Sequence, residues 1–368
     1  MQCGIYIHVP FCASKCPYCD FYSAVPRSEA EKDAYVQALI REMRKQTGVT
    51  ADTLYFGGGT PTLLGGERLE KLICTARDCF SMTDTAEITL EANPADQLLS
   101  TLERFAAAGG NRLSLGMQSS DENILRILGR RHTPRDVQRT MADARSVGIT
   151  NISLDMMLAV PTQTTHHIEQ DVAVCAALGA SHVSAYLLKI EPGTPFFAAG
   201  DTLCLPDEDK AADLYLAAVD ALETQGYRQY EISNFAKDGK QSRHNLKYWN
   251  GEPYIGFGPA AHSFLDGVRC FYPRDTAAFV AGNTPTADVD GEIQAGSETE
   301  YAMLRLRLCE GLTADGFWRR FQKEIPAAWL TAAKRLPSAL VRADERGIAF
   351  TKEGFLVSNV LISRILNL

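Results

Sequence analysis

Ile5-Tyr6-Ile7-His8-Val9-Pro10-Phe11-Cys12-Ala13-Ser14-Lys15-Cys16-Pro17-Tyr18-Cys19 decides how the rest of the chain is read. Ile5–Val9 has the length and apolar content of a buried strand, and Pro10 stops it. The loop behind it carries three cysteines in eight residues, spaced C-x3-C-x2-C. Thiolates this close in sequence can converge on one soft metal centre. Three ligands rather than four leave one coordination position open, which a catalytic or ligand-binding iron needs. Unrelated cytosolic thiols are one alternative. Zinc is another, with His8 as the nearest fourth ligand, although His8 lies in the strand four residues before the loop. The remaining cysteines, Cys3, Cys74, Cys79, Cys175, Cys204, Cys270 and Cys309, are dispersed and read as small buried hydrophobes.

Working outward, strand-like and helix-like runs alternate up to about residue 190. The strand candidates are 5–9, 53–56, 87–90, 112–115, 152–156 and 183–187. Between them lie amphipathic stretches at 29–45, 68–80, 98–108, 134–147 and 166–178. Gly109, Gly148 and Gly179 stand where helix C-caps call for positive φ. Six β-then-α units in a row predict parallel strands with right-handed crossovers, so the fold class is α/β. A complete or partial β/α barrel is the natural closure, and an open doubly wound sheet is the alternative.

The pattern changes after residue 200. Residues 206–225 predict a long helix that Gly226 ends, and a Gly/Pro/aromatic-rich segment runs from Tyr227 to Tyr272. Helices fit 297–309, 315–323, 328–335 and 356–366, with a short strand at 348–351. The expected division is a core barrel over 1–200, an extension over 201–280, and a small, mainly helical domain with a β-hairpin over 281–368.

Composition narrows the function. The 368 residues carry 37 Lys and Arg against 45 Asp and Glu, a net charge of −8, which argues against coating nucleic acid. Hydrophobic residues at 45% and charged residues at 22% fit a globular protein. No apolar run is long enough to span a bilayer. The start lacks a basic segment followed by an apolar one, so it does not read as a secretory signal. Ten cysteines without such a signal point to reduced thiols in a cytoplasmic protein.

The second strand ends in Gly57-Gly58-Gly59-Thr60-Pro61. Such a run lets the backbone approach a ligand and offers N–H donors. It lacks a Gly-Lys-Ser/Thr ending, so it is not a Walker loop. Paired with C-x3-C-x2-C after strand one, it resembles the radical S-adenosylmethionine (SAM) superfamily, whose 4Fe–4S cluster hangs from three cysteines in a partial, TIM-like β/α barrel. Ile5 to Cys12, Glu91-Ala92-Asn93-Pro94, Arg112 to Ser119, Leu128-Gly129-Arg130-Arg131-His132 and Asp155 look like the oxygen-independent coproporphyrinogen III oxidase group. Gln229 to Ala236 and His244-Asn245-Leu246-Lys247-Tyr248-Trp249 resemble its heme chaperone branch. The resemblance is specific from residue 4 to about 265 and diffuse from about 280 onward. True oxidases continue the loop with a fourth cysteine, where this chain has Asp20-Phe21. That difference puts oxidase activity in doubt.

The resemblance implies a 4Fe–4S cluster on Cys12, Cys16 and Cys19 whose open iron takes the amino and carboxylate groups of SAM. Tyr6, Tyr18, Gly58, Gly59 and Thr60 would line the methionine end. Glu91, Gln118, Arg130 and Asp155 would reach the ribose and carboxylate, Arg130 coming in from a helix end. Asp155 stands among Ile152, Leu154, Met156 and Met157, so its carboxylate needs a hydrogen-bond partner.

His244 is the second candidate centre. Imidazole commonly ligates heme iron. Tyr248 and Trp249 could cover a porphyrin face, and Arg243 and Lys247 could meet its propionates. The alternative is a turn and a packed aromatic lid. His262 is a weaker candidate, and His132, His166, His167 and His182 read as surface or capping residues.

The expected function is a heme chaperone that binds heme and passes it to apo-hemoproteins. The resemblance allows for membrane respiratory enzymes among the recipients and for a homodimer. Its rivals are a radical SAM coproporphyrinogen III oxidase, an enzyme of porphyrin biosynthesis, and a structural cluster protein that does not turn over SAM.

Overall fold

The computed structural model describes residues 2–46, 48–94, 97–288 and 293–368. Six strands pair in parallel and in strict chain order: β1 (Gln2–Val9), β2 (Thr50–Gly58), β3 (Glu87–Ala92), β4 (Arg112–Gln118), β5 (Asn151–Leu158) and β6 (His182–Leu187). A doubly wound sheet reverses strand order at a switch point. No reversal occurs among these six, so they form the wall of a singly wound barrel. The connecting helices include Glu29–Met43, Gly66–Cys79, Leu99–Ala107, Pro134–Ser146 and Thr165–Ala177. Thr164 and His167 form a capping box at the start of the last of these, so His167 is the capping residue expected. Glu122–Ile127 is a further short helix that the sequence pattern did not reveal.

The sheet runs on at both edges. Tyr254–Phe257 lies parallel to β1 and is followed by antiparallel His262–Leu265, Val268–Phe271 and Thr286–Ala287. Beyond β6 come antiparallel Asn234–Ala236 and Arg228–Gln229. The segment 201–280 therefore supplies strands to both edges of the wall. Beyond it, Leu312–Thr313, Gly347–Phe350 and Val341–Asp344 make a separate three-stranded antiparallel sheet among short helices.

The strands alternate with period two, but the polar face looks inward. Ile5, Ile7, Leu54, Phe56, Ile88, Leu90, Leu113, Ile152 and Leu154 are fully buried under the helices and form the core. The opposite face carries Tyr6, Tyr55, Glu91, Arg112, Ser114, Asp155, His182 and Ser184. A barrel interior lined this way is built to hold a polar ligand. Two cysteine expectations need correction: Cys74 and Cys204 are exposed, because they fall on the solvent side of a helix and in a loop.

Candidate functional site

The cysteine loop is closed at its base. Ala24 donates to the Pro10 carbonyl (2.9 Å) and Cys12 to the Ala24 carbonyl (3.0 Å), while Cys19 N–H turns back to the Cys16 carbonyl (3.1 Å). The glycine run locks onto the same base. Gly59 donates to Val9 (2.8 Å) and Thr60 to Phe11 (2.6 Å). A Cβ on Gly59 would lie 2.5 Å from the Phe11 carbonyl oxygen, so only glycine allows this approach.

Cys12, Cys16 and Cys19 all line one cavity of about 490 Å³ inside the barrel, a size that suits a single drug-sized ligand. Arg130 reaches in from beyond the helix Glu122–Ile127 and donates to Cys16 Sγ (3.5 Å), Asn93 Oδ1 (2.6 Å) and the Gly116 carbonyl (3.0 Å). Burial pushes the Cys19 thiol up, a bias that iron ligation would reverse. A mononuclear zinc site needs its donors drawn in on one ion. Among the described residues no three His, Cys, Asp or Glu side chains are drawn in that way. His8 is also committed: Nε2 donates to the Tyr22 carbonyl (2.9 Å) and Nδ1 accepts from Tyr6 OH (3.1 Å). Three thiols spread round one cavity fit a cubane, which takes one thiolate per iron.

Tyr18, Gly58, Gly59, Thr60, Glu91, Gln118, Arg130 and Asp155 also line this cavity. Tyr6 does not. It sits lower, beside Tyr55 and stacked on the His244 ring at 6.3 Å. Glu91 accepts from Tyr55 OH (2.7 Å) and the Gly58 N–H (3.2 Å). Burial pushes its carboxyl up to about 7. Asp155 accepts from Ser114 (3.2 Å) and Ser153 (3.4 Å), the partners its apolar neighbours demanded, and burial raises its pKa as well. Gln118 adopts φ 64°, which is uncommon for a side-chain-bearing residue, and its Oε1 is buried without a partner among the described residues. An orphaned acceptor, two carboxylates and a guanidinium around one cavity match the hydroxyl, ammonium and carboxylate groups of SAM.

The His-Asn-x-x-Tyr-Trp helix, Arg243–Trp249, packs across the lower end of the barrel. Glu87 Oε2 and Oε1 accept the first-turn N–H groups of Arg243 (3.2 Å) and His244 (3.1 Å). Gly4 must lack a side chain, because a Cβ there would meet Lys247 at 2.9 Å and His244 at 3.2 Å. His244 is buried, with Nδ1 on Thr53 Oγ1 (2.7 Å) and Nε2 on Tyr248 OH (2.8 Å). Burial and nearby Lys247 push its pKa down to about 3. An imidazole with both nitrogens engaged and no face on the cavity is not placed to ligate iron, which departs from the sequence expectation. Lys247 likewise pairs with Asp52 (2.9 Å) and Glu252 (3.1 Å), and Arg243 donates to the Thr85 carbonyl (2.7 Å), so neither is held ready for a propionate. Asn245 is the residue of this helix that lines the cavity.

Sequence reading missed Arg112, Tyr55, His182 and Ser184 as lining residues. Period-two spacing in Arg112-Leu113-Ser114-Leu115-Gly116-Met117-Gln118 was the signal for the first. His132 and His182 are buried, not superficial. His132 Nε2 donates to the Met117 carbonyl (2.9 Å), and His182 bridges Ser153 (2.7 Å) and Tyr230 (2.9 Å).

Comparison with known proteins agrees with this site. Residues 6–175 match the family model "Radical SAM superfamily". The chain is 34% identical over 98% of its length to the heme chaperone HemW of Bacillus subtilis, covering 98% of that protein. The Escherichia coli heme chaperone HemW is 36% identical over 83% of each chain.

The chain belongs to the HemW family of radical SAM proteins.

A mouse mitochondrial relative, radical S-adenosyl methionine domain-containing protein 1, is 32% identical over 99% of this chain and 87% of its own. Among solved structures, coproporphyrinogen III oxidase (HemN) from Escherichia coli superposes with a TM-score of 0.82 at 22% identity, covering 99% of this chain and 90% of that one. That likeness places this HemW-family chain on the HemN fold. No described helix is long and apolar enough to cross a membrane.

Proposed function

We propose that this chain is a heme chaperone that binds heme and delivers it to apo-hemoproteins. The observation that carries the reading is identity of 34% over nearly the whole length to a protein named heme chaperone HemW. Cys12, Cys16 and Cys19 hold a 4Fe–4S cluster in this proposal, and Arg130 steadies Cys16. Gly58, Gly59 and Thr60 place backbone against the methionine end of SAM. Glu91 and Asp155, whose carboxyl pKa values burial raises, accept from its polar groups, and Gln118 Oε1 gains the donor it lacks. Held there, such a cluster would supply single-electron reduction of the SAM sulfonium. Tyr6 stacks on the His244 ring below the cavity, and neither lines it. Membrane respiratory enzymes as recipients, a homodimeric state and residence in the cytoplasm belong to the same proposal.

The test is transfer. Anaerobically reconstituted protein loaded with heme is mixed with an apo-hemoprotein and separated from it. Heme should move to the acceptor and restore its absorption spectrum. Failure of the protein to bind heme at micromolar concentration would overturn the reading.

A further inference from the structure

Behind the barrel wall, one buried acid commits its hydrogen bonds to the turn that carries Gln118. Asp171 lies on the helix Thr165–Ala177, is fully buried, and does not line the cavity. Its Oδ1 accepts from Ser119 Oγ (3.1 Å), from Ser120 Oγ (2.6 Å) and from the Ser120 N–H. Its Oδ2 has no partner among the described residues. A carboxyl group buried with one oxygen unpartnered is costly. The turn it grips is itself strained. Ser119 N–H donates to the Met117 carbonyl (2.8 Å) around Gln118, whose φ is 64°. A three-residue turn at positive φ is rare and unfavourable for a residue with a Cβ. β4 shifts register against β5 between Leu115 and Gln118, so regular pairing does not set this backbone. Such a conformation persists only where its surroundings fix it. His132 holds one side through the Met117 carbonyl (2.9 Å), and Asp171 holds the other at Ser119 and Ser120.

We infer that Asp171 is a positioning residue for SAM: it holds the Met117–Ser120 turn, and the turn aims Gln118 into the cavity. This rests on the assignment of Gln118 to SAM above. Of residues 117–120, Gln118 alone lines the cavity, and its buried Oε1 is the acceptor left without a donor. A released turn would relax toward the negative φ that residues with a side chain prefer, and the amide would swing off its line. The helix after the turn does not depend on Asp171. Asp121 Oδ1 accepts from the Asn123 (2.8 Å) and Ile124 (3.0 Å) N–H groups, so Glu122–Ile127 keeps its own cap and Arg130 keeps its approach. An acid that served stability alone would leave the SAM affinity of the folded protein untouched.

A double-mutant cycle read by SAM affinity tests this. The parent, Asp171→Ala, Gln118→Ala and the double variant are reconstituted anaerobically. SAM binding is measured by equilibrium dialysis, with iron content and thermal midpoint alongside. Each single variant should weaken SAM about tenfold, as loss of one well-placed hydrogen bond does. With Gln118 already replaced, Asp171→Ala should change SAM affinity by less than about twofold, whereas independent effects would multiply. Asp171→Asn keeps an acceptor for both serines and should return SAM affinity to within about threefold of the parent. Iron content should match the parent throughout. Ser120→Ala removes one of the three bonds without touching the acid. It should cause a smaller loss that also disappears in the Gln118→Ala background, and it carries the test should Asp171→Ala not fold. Parent-like SAM binding in Asp171→Ala, or full multiplication of the two losses, would overturn the inference. Parent-like binding in Gln118→Ala would overturn the placing of Gln118 and this inference with it. A reconstituted parent that binds no SAM would overturn the cofactor reading beneath both.

Discussion

Glu87 Oε1 accepts the backbone N–H of His244 at 3.1 Å, joining the first residue of β3 to the helix that closes the barrel floor. The second carboxylate oxygen takes the Arg243 N–H, so one buried acid satisfies two otherwise unpaired donors and faces the positive end of the helix. Replacing it with alanine strands both donors. Glu87→Ala should cost about 1–3 kcal/mol and lower the thermal midpoint by several degrees. Glu87→Gln, which keeps an acceptor, should recover part of that. Calorimetry of the three proteins decides it, and an unchanged midpoint in Glu87→Ala would show the contact to be idle.

The cluster assignment predicts a sharp division among cysteines. Cys12→Ser, Cys16→Ser or Cys19→Ser should abolish or strongly deplete iron after anaerobic reconstitution, where the parent holds about four irons. Cys74→Ser, on an exposed surface, should leave iron content unchanged. Iron and sulfide assays on purified variants check this. Stoichiometric zinc without iron in the anaerobically isolated parent would defeat the assignment.

Gly59 tests how the glycine run serves the loop. The 2.5 Å approach of its Cβ position to the Phe11 carbonyl leaves no room for a methyl group, and that carbonyl already accepts from Thr60. Gly59→Ala should shift the loop base, lower cluster occupancy and weaken SAM binding, with little loss of overall fold. Gly48→Ala is a poor control because Gly48 has φ 75°. Cys74→Ser serves instead. Unaltered iron content in Gly59→Ala would show that the contact relaxes freely.

Much of this was legible in the chain. The order of the six strands followed from β/α alternation, because short connections leave a parallel strand few places to go. The cysteines, the glycine run, Glu91, Gln118 and Asp155 share the cavity because each sits in or directly after a barrel strand, and Arg130 joins them from beyond the helix Glu122–Ile127. The hydrogen bonds that hold His244 were not legible, because local sequence shows a ligand-type side chain but not its partners. Thr53 lies 191 positions away. The edge strand Tyr254–Phe257 was hidden for a similar reason, since its pairing with β1 depends on tertiary contact rather than periodicity. Arg112 was read only as the start of a strand. Inward polar alternation reads in sequence just as outward polar alternation does, and only closure of the wall tells them apart.

Porphyrinogen chemistry tests whether this chain shares an activity with the enzyme whose fold it shares. Phe21 stands where the oxidases place a fourth cysteine, and its ring is 66% exposed at the cavity mouth. Under anoxia, with reductant and SAM supplied, the reconstituted protein should form no protoporphyrinogen IX from coproporphyrinogen III. Chromatography of the oxidised porphyrins checks it. Detectable turnover would show that the cysteine is dispensable and restore the oxidase reading.

The buried titratable groups predict opposite responses to pH. His244 has its folded pKa depressed to about 3, chiefly by burial, from an ordinary value of 6.5. Between those values the unfolded chain binds the extra proton. The contribution of His244 is therefore present above about 6.5 and lost as pH falls toward 3, on the order of a few kcal/mol. Glu91 runs the other way. Burial raises its carboxyl from 4.5 to about 7, so its contribution is present below 4.5 and lost as pH rises through about 7. Substitution should remove each dependence and leave a constant offset from altered packing. Relative to the parent, His244→Gln should look progressively better as pH falls from 6.5 to 4. Glu91→Gln should look progressively better as pH rises from 4.5 to 8. Denaturant melts of the three proteins across that range measure both slopes. Parallel curves for His244→Gln and the parent would mean that His244 is not buried as a neutral ring, and the same result for Glu91→Gln would mean that its carboxylate is solvated.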